Sequence, residues 1–354
     1  MTPTAPMPSA EQEQFGRALH GLLAATGSTG AARQWADGDP AAGLRLWHRL
    51  AGQGVTALAV PEKWGGLGAS MLDVVVACEE LGHHALPGPA AESLAAVPHL
   101  LTALCEGHLC DTSADGEQCA RWLAALADGS LVATLALPPR LPYLLDAHVA
   151  DLVLLAEAGT VRLATPGTRH QSVDGARWLS EVCGGPVIAQ GPAVAEAAGR
   201  ALRAGALASA AQLLGAGRAL LEASITHARQ RTQFGRPVGA FQAVKHALAG
   251  VAIDLEFARP LAYAAAEAMD AGRASAGRDV AAARVAGADA AYRAARTALQ
   301  VHGAIGYTHE HDLSLWLTKV TALRSAWGTQ AEHRAAVMAA LTGDGPANGE
   351  PSWT

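Results

Sequence analysis

The sequence predicts a mainly α-helical protein in which a small β domain separates two helical parts. Apolar residues recur at helical spacing over residues 9–126 and 192–341, whereas residues 129–190 contain short apolar runs separated by turn residues. Ala and Gly are abundant and aromatic residues make up only 5% of the chain, which favours close approach of packed helices. We therefore expect an N-terminal helical domain over 1–128, a small β domain over 129–191, a C-terminal helical bundle over 192–343 and a loose tail over 344–354.

Helix start signals divide the N-terminal part into several helices joined by Gly/Pro turns. Ser9 and Gln12 have the spacing of a capping box, in which each side chain bonds the backbone of the other residue. Asp39 followed by Pro40 predicts an N-cap and a proline at the first helical position. A further helix is predicted from Ser70 to Gly82.

The middle part contains three predicted strands, Leu131–Leu137, Leu152–Glu157 and Thr160–Thr165. Ala158 and Gly159 separate the last two, and a two-residue connection of this kind is typical of a β-hairpin. The region is too short for an elaborate barrel.

The C-terminal part is again helical. Small residues such as Ala208, Ala211 and Gly215 recur in it, so its helices can pack closely in a bundle. The predicted helices cover about 193–230, 239–271, 277–301 and 330–341.

Charge argues against several kinds of partner. The formal net charge is −6, and only 16% of the residues are charged, against roughly 25% in an average domain. This low fraction indicates that much of the surface is covered, either by helix packing or by other subunits. No basic stripe is present in the sequence to neutralise phosphates, so nucleic acid and anionic membranes are not expected as main partners.

Cysteine usage and the chain start favour a cytoplasmic location. The five cysteines of the 354-residue chain are an odd number, which indicates reduced thiols. Met1–Ala10 has no basic region followed by an apolar block, and no uncharged apolar stretch reaches the roughly 20 residues of a membrane span. Cys105, Cys110 and Cys119 fit no common zinc spacing, so no metal site is predicted.

Three sequence segments together resemble one known family. They are Val60–Gly68 with Cys78–Gly82, Arg229–Pro237 with Phe241–Gln242, and Gln300–Glu310. In this order they resemble the acyl-CoA dehydrogenases over about residues 9–341. The resemblance implies an N-terminal helical domain, a middle β domain and a C-terminal four-helix bundle, with an acyl-CoA substrate and FAD as cofactor.

The second segment corresponds to one end of a cofactor site. An arginine in the loop after a long helix presents a planar guanidinium that suits a pyrophosphate. By resemblance, Arg231 contacts the FAD pyrophosphate with Gln233 nearby. Phe234 then lies against the adenine end, and Gln242 lies beside the same half of the cofactor. The alternative for Arg231 is an exposed cation favoured by the helix dipole.

The third segment combines a polar side chain with a glycine-rich turn that lets backbone approach a ligand. In the family, a Gln and the second Gly of a pair contact FAD bound mainly to a neighbouring subunit, and the resemblance carries these roles to Gln300 and the Gly303-Ala304 pair. Here Ala304 replaces the second glycine, which puts that backbone contact in doubt. The alternative for Gly303 is a helix C-cap.

The residue that removes the substrate proton is missing. Dehydrogenation between Cα and Cβ needs a general base for the Cα proton. The commonest family base is a Glu just before a Gly-Thr pair near the C-terminus, where this chain has Trp327. An indole N–H donates and cannot accept a proton. The family's alternative base lies on the first bundle helix, where ungapped counting gives Gly205. No catalytic residue is therefore assigned to this chain.

The flavin-ring and acyl ends of the site are reduced as well. The Thr-Glu-Pro and Trp-Ile-Thr-like stretches by which family members hold the flavin ring are absent from the sequence of 129–190. An arginine that helps hold CoA falls on Ala206, with Arg203 one turn away. The adenine–pyrophosphate end is retained, while the other end is not.

The resemblance includes heteromeric members from bacterial steroid side-chain degradation. In these, one subunit supplies the Glu and the flavin pocket, and the unlike subunit supplies the Arg and Gln across the interface. The chain resembles the second kind, and Tyr307–Asp312 also resembles that branch. This implies a shared FAD, a Glu-bearing partner in a heterodimer or heterotetramer, and a bulky, steroid-derived acyl-CoA substrate.

Other interpretations remain open at this point. Glu310, His302 or His309 could serve as a base near the glycine-rich turn, although exposed turn residues of this kind are usually solvated. A flavin-dependent monooxygenase on the same fold would not need the Glu. A scaffold subunit would stabilise a complete dehydrogenase without contacting its cofactor.

Overall fold

A computed structural model describes residues 7–308 and 311–343, and of Tyr307 only the backbone. Within these residues the protein is mainly helical with a small β domain, as predicted, although the sheet has five strands where three were predicted. The predicted loose tail lies outside the described residues. The predicted domain boundaries at 128/129 and 191/192 stay a prediction, into which the first strand at Ala133 and the long helix from Pro192 fit.

Six α-helices form the described N-terminal part of the chain. The capping box of Ser9 and Gln12 is confirmed, with the Gln12 backbone N–H donating to Ser9 Oγ at 3.2 Å. The prediction at Asp39 was wrong by one position, because Pro40 is the N-cap and Asp39 Oδ1 accepts from the Ala41 N–H at 3.0 Å. The helices are α1 (Ala10–Ala24), α2 (Ser28–Ala36), α3 (Ala41–Ala51), α4 (Met71–His83), α5 (Val97–Glu106) and α6 (Ser113–Ala127).

The sheet has the order β1-β3-β4-β5-β2, with β1 parallel to β3 and the other pairs antiparallel. The Ala158-Gly159 hairpin is confirmed, and both residues have the positive φ of a two-residue turn, 48° and 74°. Strands β2 and β5 were not predicted, β5 because Gly184-Gly185-Pro186 inside it is typical of a turn. The strands are β1 (Ala133–Ala136), β2 (Leu144–Leu145), β3 (Leu152–Glu157), β4 (Thr160–Gln171) and β5 (Trp178–Gln190).

Five further α-helices lie in the C-terminal part that the structure describes, and α7, α8 and α9 pack along one another. By length and composition α7 could cross a membrane, but 89% of its apolar window is buried within the protein, as in a core helix. The short helix α10 was not predicted. The helices are α7 (Pro192–Gln230), α8 (Gln242–Asp270), α9 (Ala276–His302), α10 (Leu313–Leu323) and α11 (Gln330–Thr342).

Helices α4 and α7 touch backbone to backbone at two glycines. A Cβ added to Gly82 would lie 2.1 Å from Gln212 O, and one added to Gly215 would lie 1.8 Å from Glu79 O.

We expect Gly215→Ala to destabilise the protein by about 2–3 kcal/mol, because the helices would have to separate. Urea unfolding measures this. Gly21→Ala in α1 is the matched control, since nothing lies within 4 Å of its added Cβ, and it should be neutral or stabilise by up to about 1 kcal/mol. Equal effects of the two substitutions would contradict the close contact.

Candidate functional site

The two predicted cofactor segments lie at the same end of the helical bundle. Helix α7 ends just before Arg231, and α9 ends just before Gly303. One turn before Arg231, the ring of His227 packs on the ring of His302 with centroids 4.3 Å apart. The structure therefore brings together segments that are far apart in the sequence.

A short hairpin after α7 fixes the backbone of Arg231 and leaves its side chain exposed. Strands β6 (Thr232–Gln233) and β7 (Arg236–Pro237) pair antiparallel around a turn in which Phe234 and Gly235 have φ of 51° and 75°. The Arg231 N–H donates to His227 O at 2.8 Å, and Arg231 O accepts from the Val238 N–H at 2.8 Å. A rigid backbone with an exposed guanidinium can grip an anion that approaches from outside.

The remaining side chains of this segment also face outwards. Phe234 is 91% exposed, with its ring edge-on to Phe241 at 6.2 Å between centroids. The Arg236 guanidinium lies over the other aromatic ring, Phe241, at 4.1 Å. Gln233 and Gln242, the latter at the start of α8, are both exposed. The segment therefore presents an aromatic ring and two amide side chains at the protein surface.

The third segment forms the end of α9. Gly303 ends the helix with φ 65° and ψ −142°, and its N–H donates to Leu299 O, so the C-cap interpretation of Gly303 is confirmed. A Cβ added there would meet nothing within 4 Å, so the turn faces open space. Gln300 and Ala304 are exposed beside it. The cap and the ligand role do not exclude each other, and the ligand role stays a prediction.

Trp327 and Gly205, the two positions at which the resemblance implies the family's base, are in direct contact. Trp327 is 1% exposed, and a Cβ added to Gly205 would lie 2.2 Å from Cη2 and Cζ3 of its ring. The indole ring therefore packs directly on the backbone of α7 at Gly205. Trp327 has φ 61°, a strained conformation for a bulky residue, which the packing around the ring must offset. A buried indole ring, and not a carboxylate, thus fills the space beside Gly205.

Two buried residues hold the loop that carries Trp327. Arg284, 1% exposed, donates from Nη2 to Leu323 O at 3.0 Å and to Ala326 O at 2.6 Å. Burial lowers the pKa of Arg284 to about 10, so it stays charged at neutral pH. His333 donates from Nε2 to Trp327 O at 2.9 Å, and burial followed by the nearby Arg284 charge lowers its pKa to about 4. Neither residue was predicted, although an arginine within the apolar run around position 284 is a signal in the sequence.

The alternative bases are not supported by the described residues. His302 is buried, with Nδ1 2.8 Å from Ala298 O, and burial lowers its pKa. Its ring packs on His227, so it serves as a structural contact between α7 and α9. Glu310 and His309 lie outside the described residues.

Comparison with known proteins shows which family the chain is similar to. Sequence models of the acyl-CoA dehydrogenase N-terminal and C-terminal domains match residues 9–130 and 195–342. Acyl-CoA dehydrogenase IpdE2 of Mycobacterium tuberculosis is 30% identical over 320 residues, which is 88% of this chain and 91% of the relative.

Solved structures show the same fold. The ChsE4-ChsE5 complex from Mycobacterium tuberculosis contains a chain with a TM-score of 0.78 and 21% identity, covering 96% of this chain and 99% of that one. A variant of the Tcur3481-Tcur3483 steroid ACAD gives 0.79 and 21%, covering 94% and 98%. Together with the two domain matches and the full-length relative, the fold shows that this chain belongs to the acyl-CoA dehydrogenase family.

Proposed function

We propose that this chain is the subunit without a base in an FAD-dependent heteromeric acyl-CoA dehydrogenase. It supplies the pyrophosphate and adenine half of an FAD site that it shares with an unlike subunit. One observation carries the proposal: Trp327 lies on Gly205, so the position of the base is filled while Arg231 stays exposed. In this proposal the chain keeps the residues of the adenine–pyrophosphate end of the site but not the catalytic base.

The residues present fit the adenine–pyrophosphate end of FAD. Arg231 offers a fork of donors to two phosphates, and the open turn at Gly303 lets a phosphate or ribose approach the backbone. Phe234 offers an apolar face to the adenine ring. When bound, FAD accepts the hydride of the dehydrogenation. In our proposal this chain holds and orients the distal half of the cofactor, and the partner positions the flavin ring.

We propose that the partner subunit removes the Cα proton of the substrate. The Trp327 indole has no lone pair for the Cα proton, and its ring leaves no room at Gly205 for an acyl thioester to reach α7. The partner's carboxylate would take the Cα proton while hydride passes to FAD.

An apolar stripe on α8 supports the presence of a partner subunit. Ile253, Phe257 and Leu261 recur every fourth residue, so they share one face of the helix. They are 53%, 76% and 41% exposed. Buried against an unlike subunit, these side chains would add apolar area to the interface. We propose a partner of the same fold that carries the catalytic Glu.

We further propose a bulky, steroid-derived acyl-CoA as the substrate class and the cytoplasm as the location. The substrate class is supported by the likeness to a solved complex described as a steroid ACAD. The net charge of −6 supports neither nucleic acid nor membrane as a partner.

Complementation tests the proposal. Expressed alone, the chain should bind FAD weakly and turn over no acyl-CoA, because it lacks both base and flavin pocket. Co-expressed with a Glu-bearing homologue, it should form a yellow complex that oxidises a steroid acyl-CoA with an artificial electron acceptor. Glu→Gln at the partner's base should abolish turnover and keep the flavin. Turnover by the single chain would contradict the proposal.

A further inference from the structure

Three histidine rings converge outside the site described above. His20 lies on α1, His83 is the last residue of α4, and His84 follows it. Their ring centroids are 4.7, 4.9 and 5.0 Å apart, and the ring planes are inclined by 55° to 69°. The rings therefore surround a common point instead of stacking, with His83 and His84 buried and His20 partly exposed.

The nitrogen atoms of these rings have nearly the spacing of ligands around one ion. One nitrogen from each ring lies within 4.8 Å of the others. His20 Nδ1 is 3.2 Å from His84 Nε2 and 3.0 Å from Glu80 Oε2. Ligands bound at 2.0–2.1 Å in a tetrahedral zinc site are about 3.3 Å apart. The His20–His84 and His20–Glu80 atom pairs are already close to that distance.

The charges around the rings favour a bound cation. Ion pairs join Arg218 and Arg259 to Glu79, Glu80, Glu222 and Glu256. In this network the carboxylates outnumber the guanidinium groups by two. A divalent ion would neutralise that excess.

Hydrogen bonds set the order in which ligands can engage. Arg218 Nε donates to His83 Nδ1 at 3.1 Å, and Trp316 Nε1 donates to His83 O at 2.9 Å. The backbone of His83 is thereby fixed, and its ring must turn away from Arg218 to bind. Both oxygens of Glu80 accept from Arg218 Nη2 at 2.7 Å, so Glu80 must likewise give up its contact with Arg218 to bind.

We propose that His20, His84 and His83, with Glu80 beside them, form a site for a divalent transition-metal ion such as Zn²⁺. Imidazole with one carboxylate suits zinc. The bound ion would link α1 to the end of α4. It would lie next to a surface groove of about 800 Å³ lined by Glu79, Arg218 and Tyr263. This proposal does not depend on the flavin site.

Titration of the metal-free full chain with Co²⁺ and Zn²⁺ tests the site. We expect one ion per chain, a visible Co²⁺ absorption typical of tetrahedral coordination, and a higher melting temperature with Zn²⁺. His20→Ala and His84→Ala should each weaken binding by at least about 100-fold. His20 is partly exposed, so its variant should fold even if His84→Ala does not.

Two controls make the result decisive. His48→Ala removes an exposed histidine of α3 and should leave binding unchanged. The Sγ atoms of Cys110 and Cys119 are 3.7 Å apart and could also bind a metal ion. Cys110→Ser removes one of these thiols and should leave binding unchanged as well. Binding that survives His20→Ala, binding lost with Cys110→Ser, or no stoichiometric binding would each overturn the proposal.

Discussion

Trp327→Ala is expected to destabilise the chain by about 3–5 kcal/mol, as for other buried aromatic residues replaced by alanine. The indole is almost fully buried and lies directly against α7, so its removal leaves a cavity between α7 and the loop that Arg284 and His333 hold. Urea unfolding followed by circular dichroism measures the loss. A loss under about 1 kcal/mol would show that the ring does not fill this space.

Gly205 gives the matched test of the same contact. Gly205→Ala alone should destabilise by about 1–3 kcal/mol or more, because the new methyl group would overlap the indole. In the Trp327→Ala background the same substitution should be neutral or stabilising, since alanine favours a helix over glycine by about 1 kcal/mol. A double-mutant cycle reports this reversal of sign. Additive effects would mean that the two residues do not touch.

Arg231→Ala in the assembled complex is expected to weaken FAD binding about 100-fold, because charge-assisted hydrogen bonds to the pyrophosphate contribute about 3 kcal/mol. Stability should change little, since the side chain is exposed. Flavin content after gel filtration and a fluorescence titration with FAD measure the effect.

Arg229→Ala is the matched control for Arg231, because Arg229 is an exposed arginine in the last turn of the same helix. It should leave FAD affinity unchanged. If Arg231→Ala also leaves the flavin content unchanged, the chain is a scaffold that does not contact the cofactor. If both variants lose flavin equally, the effect is one of net charge at the helix end.

Local signals predicted the helices well, and long-range contacts limited the rest. Ser70 was expected to begin a helix because a cap depends only on neighbouring residues, and the structure shows its capping box with Asp73. Strand β5 was missed because its Gly-Gly-Pro run is extended only through pairing with β4.

At the candidate site, too, local signals identified single residues, whereas their mutual positions depend on long-range contacts. The sequence marked Trp327 and Gly205 separately, but only the fold shows that one covers the other. The convergence of His20 with His83 and His84 depends likewise on the packing of α1 on α4. Arg231 and Gly303 were identified from motifs. That both lie at the same end of the bundle follows only from the fold, in which His227 contacts His302.

Flavin stoichiometry tests the central claim most directly. In the purified complex of this chain with a Glu-bearing subunit, flavin absorbance against protein mass should give one FAD for each pair of unlike chains. That ratio follows if Arg231 completes a site whose flavin pocket belongs to the other subunit. One FAD bound tightly per copy of this chain, in a homomer that oxidises acyl-CoA unaided, would contradict the account.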